Sequence, residues 1–113
     1  VVVEGDRATV FNVGDVRVYQ RASGYLMQVS TDDRSSAGSN VITQSVGGAP
    51  RLTSISPHVV QLQLTPGHRL LICSDGVSDV VPFEGIDACL AELRPVVAAE
   101  GLLAAAIAAG ASD

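Results

Sequence analysis

The strongest chemical signal in the chain lies in Leu64-Thr-Pro-Gly-His-Arg-Leu-Leu-Ile-Cys-Ser-Asp-Gly-Val-Ser-Asp-Val-Val81, where a carboxylate follows directly on an apolar run. Asp75 closes the strand expected over Arg69–Ser74, so its backbone is fixed by pairing, and Gly76 keeps side-chain bulk away from a bound ion. Hard divalent cations take carboxylate oxygens and water as ligands, which makes Asp75 a candidate metal ligand. The same residue could instead end the strand as an Asx turn, and the local pattern leaves both readings open. Asp79 could cap or brace the turn that follows. Cys73, inside the apolar run, reads as a buried thiol and not as a nucleophile. His58 precedes a strand and His68 sits in a turn; neither has a partner at ligand spacing, and both read as surface histidines.

Those residues need a scaffold, and the first half of the chain supplies extended runs. Val1–Glu4, Ala8–Val13, Val16–Gln20 and Tyr25–Val29 are separated by Gly5-Asp6, Gly14-Asp15 and Ala22-Ser23-Gly24, the pattern of an antiparallel meander. Arg17, Tyr19 and Arg21 alternate with Val16, Val18 and Gln20, as on a strand with one solvated face. Residues 31–40 concentrate Ser, Asp, Gly and Asn and read as a loop. His58–Leu64 alternates as a strand, and Thr65-Pro-Gly-His68 is a turn signal that would join it in a hairpin to Arg69–Ser74, a strand buried on both faces. A helical turn over Val77–Val81, stopped by Pro82, comes next. Phe83, Ile86, Leu90 and Leu93, then Val97, Leu102, Leu103, Ala106 and Ile107, recur at helical spacing. Strands followed by helices predict an α+β fold, an antiparallel sheet with helices packed on one face.

Composition narrows the function classes. The chain has 113 residues, enough for one small domain or a piece of a larger one, and no internal repeat. A net charge of −5 without a run of Lys or Arg argues against nucleic acid and against a polybasic membrane patch. The Ala-rich stretch 96–109 is interrupted by Glu100 and Gly101 and reads as neither a signal peptide nor a membrane span. Cys73 and Cys89 are not closely paired, which favours a reduced, cytoplasmic setting over a zinc motif or a disulfide scaffold. The opening Val1-Val2-Val3 and the closing Gly110-Ala-Ser-Asp113 both read as cut ends, as if strand neighbours were missing.

Four segments, in order, resemble the metal-dependent protein phosphatase family, the type 2C serine/threonine phosphatases. Ile72-Cys-Ser-Asp-Gly-Val-Ser-Asp79 resembles its "CSDG(L/V)(T/S)D" signature, Asn12-Val-Gly-Asp-Val-Arg17 its "N(V/A)GDSR", Ile42-Thr-Gln-Ser-Val-Gly-Gly48 its "(L/V)TRALGG", and Leu64-Thr-Pro-Gly-His-Arg69 its "L.PGDR". Ala111-Ser-Asp113 resembles the start of the closing "(S/G)xDN(I/V)T" motif, whose Asp is a metal ligand. The resemblance implies that residues 1–113 are the C-terminal portion of a phosphatase domain, half of a four-layer α-β-β-α sandwich. It implies Asp75 and Asp113 as metal ligands for Mn²⁺ or Mg²⁺, two or more ions in the complete domain.

In the family, metal-activated water attacks the phosphorus of phosphoserine or phosphothreonine in a protein substrate. The bridging Asp of a "DGHGG"-type motif and a phosphate-gripping Arg have no counterpart here, so the resemblance implies a partner in the missing N-terminal half of the same domain and an inactive fragment without it. A non-catalytic, phosphatase-like regulatory or interaction module is the alternative. Asp15 corresponds to a turn residue, with Val16 in place of the usual Ser. Asp32 and Asp33 resemble the family's "DH", with Asp33 replacing His, and read as a solvated loop. The short loops resemble bacterial members.

Overall fold

A computed structural model describes residues 1–35, 41–48, 50, 51 and 54–111. Six strands and three helices follow one another as β1 (Val2–Glu4), β2 (Arg7–Asn12), β3 (Arg17–Ala22), β4 (Tyr25–Gln28), β5 (His58–Gln63), β6 (Arg69–Cys73), α1 (Asp75–Ser78), α2 (Phe83–Leu90) and α3 (Pro95–Ala108). The α+β class holds, and among the described residues all strand pairing is antiparallel.

The strands form two sheets instead of the single sheet expected. One has the order β1-β2-β5 and the other β4-β3-β6. The meander is therefore two hairpins, β1–β2 and β3–β4, in different sheets. Nor do β5 and β6 form a hairpin: β5 pairs with β2, with Ala8 opposite Leu62 and Val10 opposite Val60, whereas β6 pairs with β3, with Tyr19 opposite Leu71. The turn at Thr65–His68 carries the chain between sheets, anchored where Leu64 N donates to Asp6 O at 2.7 Å. A turn motif reports a change of direction, and it is silent on which neighbour each strand meets.

Two buried layers result. Ala8 and Val10 of β2 and Val18 and Gln20 of β3 are buried on the faces that the sheets turn towards each other, with Gln20 Nε2 donating across to Gln63 O at 3.4 Å. The opposite face of the second sheet lies under the helices, where Tyr19 and Cys73 pack with Val81, Ile86, Leu90, Leu102 and Ala106. The face predicted to be solvated is thus covered: Tyr19 is 3% exposed, and Arg21 Nε donates to Asp87 Oδ1 at 2.7 Å, tying β3 to α2. On α3 the inward stripe is Ala98, Leu102 and Ala106, four residues apart, whereas Leu103 and Ile107 face out. Alanines on that stripe let the helix approach closely. Gly101 faces Cys89, where an added Cβ would make only an ordinary contact with Sγ at 3.6 Å. Ile72 on β6 is exposed, so this strand is buried on one face and not on two; Leu93 is exposed beyond the end of α2. Phe11 and Val59, paired on the outer face of the first sheet, are half exposed. Among the described residues no helix is long and apolar enough to cross a membrane.

Candidate functional site

The pairing registers bring four chain segments to one end of the sandwich. Asn12 at the end of β2 lies opposite His58 at the start of β5, and Arg17 at the start of β3 lies opposite Cys73 at the end of β6. The β2–β3 connection with Asp15, the start of β5, the exit of β6 with Asp75, and the segment after β4 with Asp32, Asp33 and Arg34 therefore share that end.

Asp75 stands directly after β6, as expected, but it opens α1, so the helical turn expected over Val77–Val81 lies earlier, at Asp75–Ser78. Ser74 is extended, and its carbonyl accepts from Val77 N at 3.1 Å and Ser78 N at 3.2 Å, which fixes the turn behind Asp75. The Asp75 side chain is 38% exposed, and its Oδ2 stands 3.9 Å from Arg34 Nη2. Arg34 gathers two more acids: Asp15 Oδ2 lies 3.2 Å from Nη2, and Asp79 Oδ2 lies 3.4 Å from both terminal nitrogens. The second predicted ligand, Asp113, lies outside the described residues, as do residues 36–40 of the predicted loop. Among the described residues no three His, Cys, Asp or Glu side chains stand close enough together to hold a metal ion. Asp15, Asp75 and Asp79 meet at the guanidinium and not at one another. The donor chemistry of Asp75, an accessible carboxylate on a rigid strand end, fits a hard cation, but as part of a ligand set only.

Asp33 is not the solvated loop residue expected, and His58 is not a bare surface histidine. Asp33 is 6% exposed; its Oδ2 accepts from Gly14 N at 2.9 Å, and its Oδ1 accepts from Gln44 Nε2 at 3.0 Å and lies 2.8 Å from His58 Nε2. Asp33 N also donates to Gly14 O at 2.9 Å. Gly14, with φ of +94°, is shaped for this clasp in a region that side-chain-bearing residues avoid. Burial pushes the Asp33 carboxyl up, but the hydrogen bonds from His58, Gly14 and Gln44 outweigh it and hold the group below the ordinary carboxylate value. Next to it, Asp32 takes the Arg17 guanidinium in a fork, from Nε at 3.0 and 3.1 Å and from Nη2 at 2.7 Å. That hydrogen-bonded pair lowers the Asp32 carboxyl and raises the Arg17 guanidinium. Burial raises the Cys73 thiol, in keeping with an inert side chain.

Sequence reasoning missed Arg34 altogether and undervalued Asp15, Asp33 and His58. The partners lie far along the chain, 45 residues from Arg34 to Asp79 and 25 from Asp33 to His58, beyond any local pattern. An Asp-Asp-Arg run after a strand was the one available signal, since like charges side by side need partners elsewhere.

No protein-family model matches the chain. A curated relative, "Probable protein phosphatase 2C 15" of Oryza sativa subsp. japonica, is 29% identical, with 95% of this chain and 32% of that protein covered. Among solved structures, PppA, described as a key regulatory component of the T6SS in Pseudomonas aeruginosa, is 25% identical with a TM-score of 0.88, covering 98% of this chain and 50% of that one. The catalytic domain of the serine threonine protein phosphatase PstP, solved with two manganese ions, is 26% identical with a TM-score of 0.86 over 99% of this chain and 52% of its own. The chain thus spans about a third of the curated relative and about half of the solved chains. With its four motif segments in the family's order and its two-sheet fold matching these structures over nearly its whole length, the chain is similar to type 2C, or PPM, protein phosphatases.

Proposed function

We propose that these residues are the C-terminal part of a protein serine/threonine phosphatase domain that hydrolyses phosphoserine and phosphothreonine with Mn²⁺ or Mg²⁺. The observation that carries this reading is the position of Asp75, a partly exposed carboxylate on the rigid exit of β6, at the end of the sandwich where the acidic connections converge. Asp75 and Asp113 would hold the cation from this side. Bound divalent ions lower the pKa of water and neutralise phosphoryl oxygens. The chain's own residues contribute the placement of negative charge: β6 fixes where Asp75 stands, and the clasp of Asp33 on Gly14 fixes the connection that carries Asp15. The remaining ligands and the phosphate clamp would come from the N-terminal half of the same domain, so the 113 residues alone have no turnover. The substrate is a phosphorylated protein.

The test is Asp75→Asn in the full-length protein, with turnover of a phosphothreonine peptide measured across a Mn²⁺ titration. The substitution keeps shape and removes the charge, so turnover falls by orders of magnitude while the thermal midpoint hardly moves. Unchanged turnover with unchanged Mn²⁺ dependence would sink the assignment. A companion measurement gives the isolated chain Mn²⁺ and p-nitrophenyl phosphate, with hydrolysis expected at background.

A further inference from the structure

The outer face of α3 lacks the polar coat that an outer helix ordinarily carries. Its 14 residues include a single charged side chain, Glu100, and are apolar on every side of the axis. Val96, Leu103 and Ile107 are 68%, 60% and 64% exposed. Seven and four residues apart, they fall within about 40° of arc, opposite the buried stripe of Ala98, Leu102 and Ala106. The helices lie on the face of the second sheet that points away from the first. Strands added to either sheet, or a layer laid on the first sheet, would therefore leave this stripe outermost.

We propose that the outer face of α3 docks on the same face of a second copy of this chain, with the two helices antiparallel. Area, sequence symmetry and charge support that occupant. The three large side chains and the exposed alanines beside them offer on the order of 500 Å² of apolar surface, so a pair buries roughly 1,000 Å², the low end for a specific contact and the size of a weak dimer. A two-fold axis between Gly101 and Leu102 sets Val96 over the partner's Ile107 and Ala99 over the partner's Ala104, large against large and small against small. Leu103 then meets the stem of the partner's Glu100, whose carboxylate lies off the centre of the stripe and reaches the rim. The same axis brings Arg94, exposed at the N-cap, beside the partner's Ala109 at the C-terminus of its α3, where the last turn has no basic residue of its own. A cation at the negative end of a helix dipole is favourable. Parallel pairing would set Arg94 against Arg94 and Glu100 against Glu100. Nucleic acid and anionic lipid fit poorly, since Arg94 is the only basic residue beside the stripe and the chain carries a net charge of −5.

Sedimentation equilibrium of the full-length protein tests this. A reversible monomer and dimer should be found, with a Kd in the micromolar range. Leu103→Lys should raise that Kd at least about tenfold by placing two charges in the contact, and should leave the thermal midpoint unchanged, because the side chain it replaces is exposed. Register has its own readout: an oxidised mixture of V96C and I107C should give the linked peptide pair 96–107 between copies, with no 96–96 or 107–107 pair. A monomer up to about 200 µM, far above a micromolar Kd, overturns the proposal. So does a dimer indifferent to Leu103→Lys, a 96–96 pair, or a monomer that instead binds neutral phosphatidylcholine vesicles through this face. The inference does not depend on Asp75, and its failure would leave the metal reading as it stands.

Discussion

Arg17 and Arg34 bring the same guanidinium into acidic surroundings at the same end of the sandwich, with opposite outcomes. Arg17 lies flat against one carboxylate in a fork of 2.7 to 3.1 Å, braced by β3. Arg34 touches three carboxylates at 3.2 Å or more and leaves its Nε unpaired. Between them, Asp33 turns inward and has every contact it needs. Three consecutive residues thus divide the end of the molecule into a closed knot, Asp32 and Asp33 with their partners, and an open cluster around Arg34. The knot is geometry-limited: its groups sit where hydrogen bonds are short. The cluster is charge-limited: its groups are collected by attraction without reaching ideal distances.

The largest effect should come from cutting the knot. Asp33→Ala leaves Gly14 N–H, Gln44 and His58 without their acceptor in a buried place and should cost about 3 kcal/mol in urea unfolding, against the near-neutral behaviour that a solvated loop would give. A loss under about 0.5 kcal/mol would mean the knot does not hold the connections together. Acid should act through the same residue. The folded Asp33 carboxyl titrates below its ordinary 3.8, so its contribution is complete above that value and drains away as the pH falls through the lowered one. Urea midpoints followed below about pH 4 should drop more steeply for the unsubstituted chain than for Asp33→Asn, and parallel curves would remove Asp33 from the account. Arg17→Met comes next: it loses a forked, partly exposed pair and should cost about 1 kcal/mol. The smallest effect belongs to the cluster, where Asp79→Asn removes one long contact and should change stability by roughly 0.5 kcal/mol or less. If Asp79→Asn proved as costly as Asp33→Ala, the division into knot and cluster would be wrong.

The class of fold, the strands near their observed positions, the two helices and the place of Asp75 were legible in the residues themselves. Each rests on local physics: alternation along a strand, the 3.6-residue recurrence of Ile86 and Leu90 or Leu102 and Ala106, and a carboxylate after an apolar run. Which strands pair was not legible, since the turn at Thr65–His68 serves equally for a hairpin or for a crossing between sheets. Tyr19 shows the cost of that ambiguity. Its alternation with Val18 was visible, but both faces of β3 are buried, one under the other sheet and one under the helices, so period two could not say which side meets water.

By itself, then, the amino-acid order determined the elements and the carboxylate at the end of β6, because those follow from interactions a few residues apart. Tertiary structure alone decided that Asp33 is interior and clasped by Gly14, Gln44 and His58, and that Arg34 is drawn among Asp15, Asp75 and Asp79. The reason is physical: the free energy of a charged group depends on burial and on partners from other segments, and both are set when two sheets close against each other.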